Sequence, residues 1–89
     1  MTTLHVLHDS HWPEALDRLW QPGDTLLLAG AAVTLACRQD LSLPSPVMAL
    51  ADCVTARGLD GCWPATVTCI DMAGWVDLVC QHQRSVAWT

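Results

Sequence analysis

Cysteine is the residue type in this 89-residue chain that offers the most direct chemistry. The five cysteines, Cys37, Cys53, Cys62, Cys69 and Cys80, are separated by 16, 9, 7 and 11 positions, and no CxxC pair occurs. That spacing disfavours a zinc knuckle. An odd count, with no basic leader before an apolar stretch, disfavours a disulfide framework, so reduced thiols are expected. A thiolate can attack a sulfane sulfur and carry it as a persulfide, or cycle through a disulfide. Cys53, near the start of a short helix whose backbone N–H groups favour thiolate chemistry, and Cys62, in a loop, are the candidate reactive thiols. Cys69, within a strand, and Cys80, on the apolar side of a helix, read as small core residues.

Histidines at His5, His8 and His11 recur every third residue, and imidazole is a good ligand for zinc or nickel. A strand running into a turn does not bring that spacing to one face, so local polar contacts or exposure are expected and no metal site. His82 is expected to face solvent. Neither GxGxxG nor GxxxxGK[ST] is present, and the serines lack a nucleophile-elbow context, so no nucleotide, no cofactor and no hydrolase chemistry is expected.

Charge narrows the partners. Four Lys and Arg against nine Asp and Glu give −5, and all four are arginines, scattered singly at Arg18, Arg38, Arg57 and Arg84. A phosphate backbone would be repelled, which excludes direct nucleic-acid binding. The longest apolar runs, such as Leu26 to Val33, are far too short to span a bilayer, so a cytoplasmic protein is expected.

Positioning any such site is the work of alternating strands and short helices. Thr3 to Leu7 reads as a strand. A helix follows, with Ser10 as its cap, Pro13 in its first turn, and Trp12, Ala15, Leu16, Leu19 and Trp20 as a stripe against the sheet. Asp24 to Ala29 is apolar on both sides, the pattern of a central parallel strand. Ala31 to Cys37 reads as a short helix, Arg38 to Pro46 as a loop, Val47 to Leu50 as a strand, and Asp52 to Arg57 as helical turns stopped by Gly58. Thr66 to Ile70 is a fourth strand, and Asp71 caps a last helix whose Met72, Trp75, Val76, Val79, Cys80 and Gln83 form one apolar face. Ser85 to Trp88 could pair at a sheet edge. The expected fold is α/β, a small three-layer sandwich with a mostly parallel sheet of about five strands, over residues 1–89 as one domain.

Apolar residues make up 52% of the chain and charged residues only 15%, where about a quarter charged is usual. So small a domain leaves much of that apolar surface uncovered, which predicts an oligomer or a subunit. Trp12, Trp20 and Trp75 fall on helix stripes and read most simply as core. Trp63, in a loop, and Trp88, near the end, are the first candidates for a subunit interface, with Trp12 and Trp20 behind them.

Several short segments, in order along the chain, resemble the TusB/DsrH family of sulfur-relay proteins. They are Leu4-His5-Val6-Leu7 with Ser10 close behind, Gly23-Asp24-Thr25-Leu26-Leu27-Leu28, Ala56-Arg57-Gly58-Leu59, Ile70-Asp71, Trp75-Val76-Asp77-Leu78 and Val86-Ala87-Trp88. The resemblance implies a DsrE-like fold and a place beside TusC-like and TusD-like sister subunits. It also implies sulfur arriving from a TusA-like donor and leaving through a TusE-like carrier, for 2-thiolation of the tRNA wobble uridine. The related DsrEFH complex acts in sulfur oxidation. In this family the acceptor cysteine belongs to the TusD/DsrE-like sister, so the chain is not expected to be an enzyme by itself. DsrH-type members with their own cysteine carry it in the first helix, whereas here Ala15-Leu16-Asp17-Arg18-Leu19-Trp20 holds no thiol. That departure favours the TusB-like reading.

Two other functions remain open to the sequence: a persulfide carrier using Cys53 or Cys62, and a homo-oligomeric ligand-binding module at the carboxyl ends of the strands near Gly30, Ala51 and Asp71.

Overall fold

Five parallel strands in the order β4-β3-β2-β1-β5 form the centre of the molecule: β1 Thr3–Leu7, β2 Thr25–Leu28, β3 Val47–Leu50, β4 Thr68–Ile70 and β5 Arg84–Trp88. The structure is a computed structural model and describes residues 2–38, 42–44 and 46–88. Every residue of β1 and of β2 is buried, as strands covered on both faces must be. Register places His5 opposite Leu26 and Val86, and Leu4 opposite Thr25 and Ser85. Alternation then separates two faces.

On the first face, Leu7, Leu26, Leu28, Val47 and Ala49 pack with Leu16 of helix α1 (Glu14–Leu19), with Ala32, Val33 and Leu35 of a 3-10 helix (Gly30–Cys37), and with Val54 of helix α2 (Ala51–Ala56). On the second face, Leu4, Val6, Leu27, Ala29 and Leu50 pack with Leu78 of helix α3 (Met72–Gln81). Steps from β1 to β4 run one way across the sheet and put their connections on the first face. The return from β4 to β5 reverses direction and puts α3 on the second, as a constant crossover hand requires. The three layers expected from the sequence are therefore unequal.

Several local expectations change. Ser10 does not cap α1: its hydroxyl donates to Asp9, and Pro13 occupies the cap position, its carbonyl accepting from Leu16 N at 3.1 Å. The helix is only six residues long, because Pro13 opens it and Gln21-Pro22-Gly23 closes the segment. Trp12 and Trp20 thus flank the helix. Residues 39–41 and 45, within the loop expected from Arg38 to Pro46, lie outside the described residues. Asp71 does cap α3, accepting from Gly74 N at 2.8 Å.

The α3 stripe is the largest correction. Leu78, outside that stripe, is the residue that α3 buries in the core, and Trp75 is half-buried. Met72, Val76 and Val79 are 58%, 61% and 45% exposed, and Cys80 is exposed as well. His82, expected on solvent, is instead half-buried. Its Nδ1 donates to Leu78 O at 2.6 Å and its Nε2 meets Thr25 Oγ1 at 2.8 Å, which fastens the end of α3 to β2.

Candidate functional site

Asp24 stands one residue before β2, and its register brings it beside β1. Its carboxylate accepts from Thr3 N at 3.0 Å, from Gln21 N at 3.1 Å and from His5 Nε2 at 2.9 Å. The opposite ring nitrogen, His5 Nδ1, accepts from Trp88 Nε1 at 3.1 Å. An indole N–H can only donate, so Nδ1 is bare and Nε2 carries the proton. Trp20 stacks on the same ring, with centroids 5.3 Å apart. Burial pushes the Asp24 carboxyl up, but the hydrogen bonds from His5 and from the Gln21 and Thr3 amides outweigh it. The group therefore titrates below its ordinary value of 3.8.

A carboxylate beside a histidine suggests general-base chemistry, but here both ring nitrogens are committed and the pair is nearly sealed from water. What the arrangement does is tie β5 and the end of α1 to the central strands. Sequence reading considered His5 only with His8 and His11. The signal for this cluster, an acid just before one buried strand and a histidine within another, becomes meaningful only when the register is known.

The three N-terminal histidines part company: His5 is buried, while His8 and His11 are both exposed on the turn into α1. Among the described residues, no group of three His, Cys, Asp or Glu side chains is placed to hold a metal ion.

The thiols are dispersed. Cys53, in α2, is half-buried at the carboxyl ends of the strands and touches both core clusters. Gly30 N donates to its Sγ at 3.2 Å. Gly30 itself has φ +54, and a Cβ there would lie 3.3 Å from His8 O, so the chain turns tightly over the end of β1. Arg57 Nε donates to Gly30 O at 3.2 Å. Near the module site considered in the sequence, the polar groups of Gly30 and Asp71 are thus engaged locally. The Cys62 side chain lies outside the described residues. Cys69 and Cys80, expected in the core, are both exposed. Cys69 is in the edge strand β4, and Cys80 is on the outer side of α3, so no element covers either.

The tryptophans are half-buried. Trp12, Trp20, Trp63 and Trp88 all pack against the first-face core. Trp12 Nε1 donates to Asp17 Oδ2 at 3.3 Å, and Trp63 Nε1 donates to Val67 O at 2.9 Å. Trp75 joins the second face, 6.4 Å from the His8 ring. Among the described residues, the largest run of exposed apolar side chains is on α3, with Leu19 of α1 standing apart at 56% exposure on the other side of the sheet.

A family model described as DsrH like protein matches residues 10–85. This chain belongs to the DsrH-like family. It is 37% identical over 94 residues to Protein TusB of Escherichia coli strain K12, across 96% of this chain and 99% of that relative. The same identity and coverage hold for Protein TusB of Escherichia coli O6:K15:H31, strain 536. In structure, this DsrH-like chain is similar to the crystal structure of the ychN protein from E. coli, with a TM-score of 0.68 over 99% of this chain and 100% of that one. At 13% identity that likeness is one of fold. No helix among the described residues is long and apolar enough to cross a membrane.

Proposed function

We propose that this chain is a non-catalytic subunit of a cytoplasmic, hetero-oligomeric sulfur-relay complex of the TusBCD kind, supporting 2-thiolation of the tRNA wobble uridine. Its sister subunits are TusC-like and TusD-like chains, and TusA-like and TusE-like carriers exchange sulfur with the complex. Likeness to the TusB proteins over nearly the whole chain carries the reading. Membership of the DsrH-like family and the thiol-free stretch from Ala15 to Trp20 support it.

Sulfur relay is thiol chemistry. An acceptor thiolate attacks the outer sulfur of a donor persulfide; the donor's S–S bond breaks, a new S–S bond forms, and the donor leaves as a thiolate, with no net oxidation. A subunit without the acceptor contributes surface and order to the complex. Cys53 keeps a second reading in play, since the Gly30 amide pointing at its sulfur is a contact that also suits a persulfide carrier.

Intact-mass spectrometry separates the two. The chain is incubated, alone and co-purified with its sisters, with a persulfurated TusA-like donor. Sulfur gained only by a sister, with this chain present in equal amount, is the expected result. Sulfur gained by this chain, and lost on Cys53→Ser, would establish the carrier instead.

A further inference from the structure

We infer that the flank of α3 facing β5 is the seat of an amphipathic helix from a different chain, one carrying Lys or Arg beside an apolar stripe. This rests on the subunit reading above and names the surface through which the chain is held.

The first face of the sheet is covered by α1, the 3-10 helix and α2, whereas the second has α3 alone. On α3, Trp75 and Leu78 turn towards the sheet, as does His82 just beyond its end. Met72, Val76 and Val79 follow at i, i+4 and i+7, about a quarter-turn away from that inward line. With the right-handed crossover that parallel strands adopt, the helix's own right-handed turn directs this quarter towards β5. There the sheet surface is low and open. Ser85 and Ala87 pair with Leu4 and Val6, share their face, and are exposed. Wall and floor together bring Met72, Val76, Val79 and Ala87 to one corner, with Ser85 the polar member of its floor, and a layer of a parallel sheet is normally completed by a helix in such a place.

Charge selects the occupant. A second copy would set −5 against −5 and bring further carboxylates to a helix that already exposes Asp71 and Asp77 and has no basic residue. Like charges across an interface are strongly disfavoured, and basic margins on a different chain are complementary. A helix with an apolar stripe fits the corner in the helix-in-groove manner.

The test uses the full chain co-expressed with TusC-like and TusD-like chains from the same genome. Two variants are compared, Val76→Asp on α3 and Leu19→Asp on the opposite layer; both sites are more than half exposed, and circular dichroism checks that each variant folds. The expected result is that Val76→Asp weakens assembly by about thirtyfold or more while Leu19→Asp assembles as wild type. Assembly unaffected by Val76→Asp, or lost equally with both variants, overturns the inference and leaves the subunit reading intact. A wild-type chain that forms a homodimer abolished by Val76→Asp also overturns it. Failure of the wild type to assemble with the sisters defeats the subunit reading itself.

Discussion

Trp88 Nε1 donates to His5 Nδ1 across 3.1 Å, joining the edge strand β5 to the buried strand β1 through the side of the ring that Asp24 does not use. The bond fixes the tautomer of His5, and Arg84 Nε adds a second tie at the start of β5, donating to Thr3 Oγ1 at 3.0 Å. The tail is thereby part of the core.

Removing the donor while keeping the ring-sized bulk isolates the value of that bond. Trp88→Phe is expected to cost about 1 kcal/mol, and Trp88→Ala about 2–4 kcal/mol because packing against the first-face core is lost too. Urea denaturation of the two variants gives both numbers, and equal stability of Trp88→Phe and wild type would remove the bond from the account.

Asp24 should shape the acid limb of stability. Its carboxyl titrates below the ordinary 3.8 in the fold, so the folded chain binds fewer protons than the unfolded one in that window. The stabilisation is complete above about pH 4 and is lost as pH falls through the folded value. Asp24→Asn lacks this dependence. Urea titrations from acid to neutral pH are expected to show a gap between wild type and variant of about 1–3 kcal/mol near neutrality that closes in acid. A gap independent of pH would contradict the assignment.

Thiol reactivity should follow exposure. Of the four described thiols, the exposed Cys69 and Cys80 are expected to alkylate before the half-buried Cys53 and Cys37 in the native protein. A time course with iodoacetamide, read by peptide mass spectrometry, gives the order. Cys53 leading that order would favour the carrier reading.

Gly30 carries a backbone demand that Gly58 carries more lightly. Both have positive φ, but a Cβ at Gly30 approaches His8 O at 3.3 Å while one at Gly58 meets nothing within 4 Å. Gly58→Ala is therefore expected to cost about 1 kcal/mol, and Gly30→Ala more, with the difference read from thermal unfolding. Equal costs would show that the approach to His8 is easily relieved.

Much of the fold was legible along the chain. Leu26 to Leu28, apolar at every position, announced a strand covered on both sides, and Asp71 before an apolar helix announced its own cap. The family resemblance was carried by short segments such as Gly23 to Leu28 and Val86 to Trp88, and the alignment with TusB proteins covers nearly the whole chain. Legible, too, was an excess of apolar residues over what so small a core needs.

Tertiary structure decided where that excess lies. Periodicity shows that α3 has an apolar stripe, but not which side of the helix the sheet takes. The crossover from β4 to β5 gave that place to Leu78, turned Met72, Val76 and Val79 outwards, and left Cys80 and the edge residue Cys69 exposed rather than in the core. The cluster of Asp24, His5 and Trp88 was hidden for the same reason. Asp24 and Trp88 stand 19 and 83 positions from His5, one just before β2 and the other on β5, and only the register of a parallel sheet brings them within hydrogen-bonding distance. Local sequence sets which elements form, since propensity and period act over a few residues. Which side chains meet depends on strand order and crossover, and these are settled only when the whole sheet closes over its core.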